Sequence, residues 1–510
     1  MFVKTTSCAI VGIDSSGVDV EVDVSAGMPY FATVGLPDTA VKESKDRIRA
    51  AIKNSGYPFP QNHITVNLAP ADIKKEGSAF DLPIAVGILT TQGIINPNKL
   101  NDFCITGELS LDGSVKSIYG TLSCAFFAKE AGMKGIIVPA QNAVEAAMVK
   151  DIDVIGVATL ADVVEFFNDE KAIEPTIFDA QEYFHEHSVY PFNFSEIKGQ
   201  AGAKRALEIS AAGNHNILMI GPPGSGKSML AQRLPSILPE LTFREAIEIT
   251  KIYSVAGLLD KKTHIVTTRP FRSPHHTISD AGLIGGGQYP RPGEISLAHR
   301  GVLFLDELPE FKKNVLETMR QPLESAEITI TRSAFSATYP ANFMLVTAMN
   351  PCPCGYYGDR NKICRCSLKQ IQFYQTRVSG PLLDRIDIHI EVPSVKYAQL
   401  SSDTRIEEDS AIIKQRVAVA RQIQTKRFGE NATICNADMS QVQMKTFCQI
   451  DKESHAIMEM AFNKLALSAR GSTRILKVAR TIADLEESQQ IAPHHISEAI
   501  QYRSLDRKLI

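Results

Sequence analysis

The stretch Gly221-Pro-Pro-Gly-Ser-Gly226-Lys227-Ser228 predicts a phosphate-binding loop. It follows the apolar run Asn216-Ile-Leu-Met-Ile220, which is typical of a buried strand, and continues into a helical pattern from Met229. In such a loop, consecutive backbone N–H groups converge on phosphate oxygens, a lysine reaches the β and γ phosphates, and a serine hydroxyl can ligate Mg²⁺. The residues assigned to nucleoside triphosphate binding here are Gly221, Pro222, Pro223, Gly224, Ser225, Gly226, Lys227 and Ser228.

The composition is that of an ordinary globular protein. Of 510 residues, 44% are hydrophobic and 22% are charged, and this length suits roughly three domains. A net charge of -3 excludes a protein coated with basic residues, so any nucleic-acid contact must come from local loops or from a pore formed by assembly. Apolar stretches such as 82–89 are shorter than a membrane span, and residues 1–12 make a poor signal peptide, so we expect a cytoplasmic protein without a membrane partner.

The pattern along the chain predicts an α/β protein. Residues 1–167 alternate short β-rich runs with helical stretches, and 168–192 are polar with weak periodicity, typical of a linker. Residues 193–395 contain the nucleotide motifs and are expected to form a parallel sheet flanked by helices. Residues 396–510 are nearly all helical in pattern. The clearest predicted helices of this last part are 411–428, 452–466 and 472–487.

A second acidic motif is expected beside the phosphate loop, because the metal and the attacking water both need carboxylates at a strand end. Val302-Leu-Phe-Leu-Asp306-Glu307 supplies them, with Asp306 in the Mg²⁺ shell and Glu307 orienting or polarising water. The buried run 343–349 ends at Asn350, which is suited to sense the γ-phosphate, although asparagine before proline is also common in turns. The residues assigned to the nucleotide site outside the loop are Ile197, Gln200, Asp306, Glu307 and Asn350.

These motifs in this order resemble the AAA+ ATPases. The segment Ser379-Gly-Pro-Leu-Leu-Asp-Arg385-Ile-Asp387 is similar to the arginine-finger segment of the branch that contains MCM helicases and magnesium-chelatase ATPase subunits. The resemblance implies that Arg385 acts across a subunit boundary on charge developing at the γ-phosphate, whereas an arginine in such a turn can also pair with Asp384 or Asp387. The stretch 468–480 resembles the sensor-2 helix of the lid, which implies Arg470 as the sensor and Arg474 as the fallback.

Two insertions lie between these motifs. The stretches 269–279 and 285–293 have the composition of loops, and 327–338 alternates like a hairpin whose turn presents Arg332. In MCM-like rings such elements face the central pore, which implies contact of Arg272, Arg291 and Arg332 with DNA phosphates. Solvated loop arginines are the alternative for each. His275 and His276 could ligate a metal, but two adjacent histidines in a polar loop are more often surface or DNA-contacting residues.

Four cysteines are paired just after Asn350. Cys352-Pro-Cys354 and Cys364-Arg-Cys366 are separated by nine residues. In a reducing cytoplasm such a set favours structural Zn²⁺ held by four thiolates, with free thiols and a redox disulfide as alternatives. A catalytic zinc is not expected, because all four positions would be taken.

The N-terminal part resembles the proteolytic domain of Lon proteases in the stretches 66–85 and 106–115. That chemistry needs a serine nucleophile activated by a lysine. Matching Gly77 to the family's glycine places Ala79 at the nucleophile position and Leu122 at the lysine position, so both functional groups are missing. We therefore expect a catalytically dead domain that serves binding or assembly.

Over essentially its whole length the chain resembles ComM/YifB-type magnesium-chelatase-like AAA+ ATPases. The resemblance implies a Lon-protease-like α/β N-terminal domain, an AAA+ P-loop NTPase core and an all-α C-terminal lid. It also implies ATP and Mg²⁺ as cofactors, a homohexamer, and single-stranded or branched DNA as the partner in branch migration or unwinding during recombination or natural transformation. Two alternatives remain, a magnesium-chelatase-type ATPase subunit that drives metal insertion and an ATP-dependent Lon-like protease.

Overall fold

A computed structural model describes residues 1–75, 77–259, 264–287, 291–332, 335–359, 362–394, 407–429, 434–465 and 467–505. The chain is mixed α/β, as predicted, and forms two compact units. The first unit contains Met1–His187 and Phe243–Thr267, and the second contains Ser188–Thr242 and Thr268–Ile510. Within the described ranges, no helix combines the length and the apolar character needed to cross a membrane.

The first unit contains a seven-stranded sheet. The strands in order across it are Tyr30–Val34, His63–Ala69, Asp14–Ser25, Phe2–Val11, Phe103–Ile105, Gly135–Pro139 and Asp153–Val157. The two longest strands form an antiparallel hairpin in which Phe2 lies opposite Asp23. Every second residue from Val18 to Val22 is fully buried, because one face of this hairpin lies on the apolar core.

The helices of the first unit surround this core. They are Thr39–Asn54, Asp81–Thr91, Thr121–Glu130, Ala143–Ala146, Leu160–Phe167, Ala180–His187 and Phe243–Ala256, with 3-10 turns at Pro97–Asp102 and Ala140–Asn142 and a short strand pair Glu108–Leu109 and Val115–Lys116. The helix that begins at Asp81 is buried along nearly its whole length and packs on the long hairpin. The helix that begins at Phe243 packs on Thr121–Glu130, and Ser254 donates a hydrogen bond to the buried Glu145 carboxylate.

The compact units differ from the predicted domains in three places. The predicted core and lid, 193–395 and 396–510, fall in one compact unit apart from residues 243–267. Residues 243–267, which the sequence assigns to the ATPase core, belong to the first unit. The stretch 168–192 contains the helix Ala180–His187, and its Phe184 ring packs edge-on against Phe243 at 6.3 Å between centroids. These features depend on contacts between distant segments, which local periodicity does not record.

The second unit contains a five-stranded parallel sheet. The strands in order across it are Phe271–Arg272, Val302–Leu305, Met344–Met349, Ile217–Ile220 and Ile388–Glu391. The three middle strands are buried at every position, as expected for parallel strands with both faces covered. Because all five strands run the same way, residues that follow them meet at one edge of the sheet, and residues that precede them meet at the other.

Helices flank this sheet and continue into the lid. Those before the lid are Ala201–Gly213, Lys227–Arg233, Asp280–Ile284, Glu294–Leu297, Lys313–Thr318, Pro322–Ser325, Leu368–Gln375 and Gly380–Leu383, with 3-10 turns at Phe194–Glu196, Leu234–Ile237 and Leu308–Glu310. The lid helices are Ser410–Phe428, Gln441–Phe447, Lys452–Leu465, Ala469–Leu485 and Pro493–Gln501, with a 3-10 turn at Asn436–Asp438. The predicted all-helical tail is thus confirmed. Lid residues Ile413 and Ile475 share one apolar core with sheet residues Ile217 and Val346.

Two strand pairs of the second unit lie outside its five-stranded sheet. Gly285–Gly286 pairs with Arg291–Pro292, and Glu327–Arg332 pairs antiparallel with Phe335–Pro340. The second pair is the hairpin predicted at 327–338. The turn residues 333–334 and the Arg332 side chain lie outside the described part of the chain.

Candidate functional site

The phosphate loop connects the strand Ile217–Ile220 to the helix Lys227–Arg233. Gly224 and Gly226 have φ angles of +76° and +92°, and a Cβ at either position would meet nothing within 4 Å, so the loop curves around open space. At Gly221 a Cβ would lie 2.1 Å from the carbonyl oxygen of Val392. This first glycine is therefore required for close backbone packing, and the later two are required for curvature.

Lys227 folds back over the loop and is only 8% exposed. Its Nζ donates to the carbonyl oxygens of Gly221 at 2.7 Å and Pro222 at 3.0 Å, and to Asn350 Oδ1 at 3.3 Å. Burial lowers the pKa of this ammonium, and two nearby carboxylates counteract that effect. A buried ammonium whose hydrogen bonds go to neutral acceptors is well suited to receive anionic phosphate oxygens.

Asp306 and Glu307 follow the strand Val302–Leu305 at the same edge of the sheet. Ser228 Oγ donates to Asp306 Oδ2 at 2.6 Å, so the two side chains assigned to Mg²⁺ are adjacent. The other oxygen of Asp306 accepts the N–H of Glu307 at 2.9 Å. The Glu307 side chain is 54% exposed, and its backbone has a φ of +52°, a left-handed conformation that is uncommon outside glycine and recurs at functional sites.

These groups line one cleft of about 380 Å³. Ser225 lines the cleft, and its buried hydroxyl has no hydrogen-bond partner among the described residues. The open loop, the buried lysine and the adjacent Ser228 and Asp306 fit a nucleoside triphosphate with Mg²⁺. Bound Mg²⁺ would neutralise charge on the phosphate oxygens. Lys227 would contact the phosphates, and Glu307 would be placed to orient a water molecule.

Gln200 contacts the phosphate loop directly, whereas Ile197 is buried in the apolar core of the second unit. The side-chain amide of Gln200 donates to the carbonyl oxygens of Ser225 at 3.2 Å and Pro393 at 2.7 Å. The contact with the Ser225 carbonyl suits Gln200 to support the loop.

His276 was not assigned to this site from the sequence. Its Nδ1 lies 3.4 Å from Glu307 Oε2, and its ring packs edge-on against Phe311 at 6.4 Å between centroids. It follows the strand Phe271–Arg272, whose carboxyl end lies at the same edge of the sheet as Glu307. The sequence feature that could have indicated His276 is its position shortly after a fifth strand. That strand has only two residues, which is too short for a periodicity to be recognised.

The predicted arginine finger and sensor lie at the opposite edge of the sheet. A pocket of about 210 Å³ is lined by Arg385, Arg470 and Arg474, and by the residues that precede three strands, Asn216, Phe343 and Asp387. A strand of four residues spans roughly 13 Å. The arginines are therefore separated from the phosphate loop of their own chain by about the length of a strand.

The three arginines differ in their contacts. Arg385 is 7% exposed, donates to the Pro381 carbonyl at 2.7 Å and pairs with Glu324, not with either neighbouring aspartate. Its Nε is buried and has no partner within the described chain. Arg474 pairs with Asp387. Burial raises the pKa of that carboxyl, but Arg474 and His215 outweigh this and hold it below its usual range.

Arg470 is exposed at the first turn of Ala469–Leu485. No hydrogen bond or ion pair of Arg470 occurs among the described residues. Arg474, the fallback sensor, is instead committed to an ion pair within its own chain. The geometry thus favours Arg470 as the arginine available to a ligand.

The three arginines assigned to DNA have different environments. Arg272 makes a bidentate pair with Glu294, at 2.6 and 2.7 Å. Arg291 is exposed on the short strand Arg291–Pro292. The backbone of Arg332 ends the first strand of the hairpin, and its side chain lies outside the described residues. The ion pair fixes the Arg272 side chain to the short helix Glu294–Leu297 of the same chain.

The four cysteines come together, as predicted. Their sulfur atoms all lie within 4.8 Å of one another, and Cys352 Sγ is 3.4 Å from Cys354 Sγ and 3.7 Å from Cys364 Sγ; the fourth member is Cys366. A tetrahedron with Zn–S bonds of about 2.3 Å has S···S edges of roughly 3.8 Å. Backbone N–H groups of the following loop lower the pKa of Cys354 to about 6, which favours the thiolate.

The two positions that the sequence matches to Lon-type catalytic residues hold Ala79 and Leu122, neither of which carries a nucleophile or an amine. Leu122 is fully buried. Ser78, one residue away, donates to the carboxylate of Glu108. A serine bound to a carboxylate lacks the amine that Ser–Lys chemistry requires.

Comparison with known families covers most of the chain. Residues 193–400 match the family described as magnesium chelatase, subunit ChlI. Residues 20–142 match subunit ChlI of Mg-chelatase, and residues 407–503 match the C-terminal part of magnesium chelatase subunit ChlI.

Individual relatives extend over nearly the full length. The chain is 44% identical over 512 residues to the competence protein ComM of Haemophilus influenzae, covering 99% of this chain and 97% of that protein. It is 44% identical over 506 residues to the uncharacterized protein YifB of Escherichia coli, covering 98% and 97%. It is 25% identical over 331 residues to the magnesium-chelatase 38 kDa subunit of Rhodobacter capsulatus, covering 60% of this chain and 84% of that subunit.

Proposed function

The chain belongs to the ComM/YifB family of magnesium-chelatase-like AAA+ ATPases, and on that premise we propose that it is a ring-forming motor that acts on DNA. The motor uses ATP hydrolysis to drive branch migration or unwinding of single-stranded or branched DNA in recombination or natural transformation. The relative named a competence protein, matched over nearly its whole length, supports this setting.

The observation that carries the proposal is the division of the ATP machinery between two edges of one sheet. Lys227 and Asp306 lie at the carboxyl edge, whereas Arg385 and Arg470 lie at the amino edge. A second copy must therefore bring its arginines to the phosphates of the first. In the single chain Glu324 holds Arg385, and the neighbour's triphosphate competes for that guanidinium. Hydrolysis then depends on assembly, which we propose to be a homohexamer.

DNA contact is proposed for the two strand pairs outside the main sheet and for the loop that follows Arg272. The candidate arginines are Arg291, Arg332 and Arg272, and Arg272 would have to exchange its pair with Glu294 for a phosphate. Contacts with phosphates give binding that is independent of sequence and weakens with salt. The net charge of -3 requires such contacts to be local.

Zinc is proposed as the occupant of the cysteine cluster. Four sulfurs already sit near tetrahedral spacing, and in a reducing cytoplasm this set favours a closed structural Zn²⁺ site. Its role is to order the loop that follows Asn350.

A magnesium-chelatase-type ATPase subunit remains the second candidate. It is favoured by the similarity to the 38 kDa subunit, which covers only 60% of this chain. The two candidates share the ATP site and differ in what they act on.

The experiment that tests the proposal is the ATPase rate with and without single-stranded or branched DNA, for wild type and Lys227→Ala. We expect DNA to stimulate wild type, the stimulation to decline with salt, and Lys227→Ala to be inactive under both conditions. If DNA neither binds nor stimulates hydrolysis at low salt, the DNA motor is wrong.

A further inference from the structure

The loop that contains the cysteines touches the phosphate loop directly. We call residues 351–366 the cysteine loop; residues 360–361 lie outside the described chain. The N–H of Gly355 donates to the Cys352 carbonyl at 2.9 Å, and its φ is +85°. A Cβ at Gly355 would lie 2.5 Å from Pro223 Cδ and 2.7 Å from its Cγ. The Pro223 ring of the phosphate loop therefore packs directly against the backbone of Gly355, where there is no room for a side chain.

The cysteine loop also begins at the γ-phosphate side of the cleft. Asn350 directly precedes it and accepts a hydrogen bond from Lys227 Nζ at 3.3 Å. The next residue, Pro351, is fixed by a hydrogen bond from Gln375 Nε2 to its carbonyl at 3.2 Å. The cysteine loop thus adjoins the nucleotide site at Asn350 and again at Pro223.

The other wall of the phosphate loop has its own support. Gly221 packs against Val392, and Gln200 donates to the Ser225 carbonyl at 3.2 Å. Neither contact involves the cysteines. Among the described residues, Pro223 is the part of the phosphate loop that contacts the cysteine loop. Tyr357 and Ile363 of the cysteine loop are 46% and 91% exposed, so these two side chains contribute little packing to hold it in place.

We propose that zinc bound by the cysteine cluster makes the cysteine loop a brace for the phosphate loop, so that metal occupancy sets the affinity for ATP. With zinc bound, the four sulfurs fix the path of the chain from Cys352 to Gly355, and Pro223 is held against it. Without zinc, the loop loses its cross-link, and ATP must order it on binding, which weakens the affinity. The inference rests on the ATP site of the proposed function and is independent of DNA.

Two alanine variants isolate the contact from the metal. Gly355→Ala places a methyl group against Pro223, whereas Gly358→Ala, at φ +80° in the same loop, meets nothing within 4 Å. Both share the backbone cost of a left-handed alanine, so their difference reports the contact. We expect both purified proteins to hold one zinc per chain, and Gly355→Ala alone to bind a fluorescent ATP analogue with Mg²⁺ about tenfold more weakly.

Removing the metal tests the coupling itself. Cys364→Ser with Cys366→Ser, or treatment of wild type with a zinc-selective chelator that spares Mg²⁺, is expected to weaken ATP binding by a similar factor in the absence of DNA. Re-addition of Zn²⁺ restores the chelated wild type. The proposal is overturned if purified wild type holds no zinc, if zinc removal leaves ATP affinity unchanged, or if Gly355→Ala binds like Gly358→Ala. Chelator treatment of wild type keeps the test valid if the double variant does not fold. Failure of DNA stimulation alone would count against the motor and not against this brace.

Discussion

Glu307 has the less constrained of the two carboxylates that line the nucleotide cleft, since its side chain is half exposed and its neighbour is the imidazole of His276 at 3.4 Å. A glutamine there keeps the shape and loses the basic oxygen. We expect Glu307→Gln to retain ATP binding and to hydrolyse ATP about 100-fold more slowly. Turnover and equilibrium binding measured on the same preparation check this. Glu310→Gln, which alters a carboxylate paired with Arg377, is the control and should turn over like wild type.

His276 is expected to position Glu307 from the neighbouring strand end. Its loss leaves the carboxylate free to rotate, so His276→Ala should lower kcat about threefold to tenfold and leave the KM for ATP unchanged. The control is His275→Ala, because the His275 ring lies next to His276 at a tilt of 34° and its ring nitrogen bonds Thr277 rather than Glu307. An unchanged kcat, or a change confined to KM, contradicts the positioning role.

At the residue scale, the sequence predicts the position of a side chain when that position follows from the local motif in which it occurs. Lys227, Ser228 and Asp306 lie together because the phosphate loop and the end of a buried strand meet at one edge of the sheet. The spacing of the two motifs in the sequence is enough to predict this. The contact of His276 with Glu307 joins two loops across the sheet edge, and no local pattern encodes it. The sequence does not show which edge of the sheet Arg470 lies at, because its position depends on how the lid helix Ala469–Leu485 packs against the core.

At the scale of elements, a buried polar cluster joins three segments of the lid. Asp484 is fully buried and accepts hydrogen bonds from Arg427, Arg480 and Asn436. Asp484→Ala leaves two buried guanidinium groups without their carboxylate, and we expect it to cost about 3 to 5 kcal/mol. Calorimetric unfolding checks this through the transition of the second unit.

The matched control changes an exposed ion pair of the same unit. Glu408 pairs with Arg416 at 2.8 Å, with side chains 53% and 38% exposed. Glu408→Ala should cost less than about 1 kcal/mol. Equal losses in the two variants would show that the buried cluster adds nothing to lid stability.

Elements were predicted where their periodicity is regular. The helix expected at 411–428 is observed at Ser410–Phe428, and the hairpin at 327–338 is present. The long hairpin Phe2–Ser25 was not predicted, although the alternation from Val18 to Val22 carries a period of two. The grouping of Phe243–Ala256 with the first unit follows from packing on Thr121–Glu130, which is distant in sequence.

At the scale of the whole molecule, we propose that one chain carries two incomplete halves of an ATPase site. The cleft with Lys227 faces one edge of the sheet, and the pocket with Arg385 faces the other. In this proposal, copies arranged head to tail complete a site at each junction, and a closed ring leaves none incomplete. ATP turnover would then be a property of the assembly, and the proposed DNA contacts would convert it to movement.

The measurement that tests this most directly is the ATPase activity of a mixture of Lys227→Ala and Arg385→Ala chains, assembled together from separate preparations. Each variant alone should have less than about 1% of wild-type activity. In an equal mixture, about a quarter of the junctions pair an intact lysine with an intact arginine, so we predict about a quarter of wild-type activity. A mixture no more active than its components, or an Arg385→Ala protein with near wild-type turnover alone, would contradict a site shared between copies.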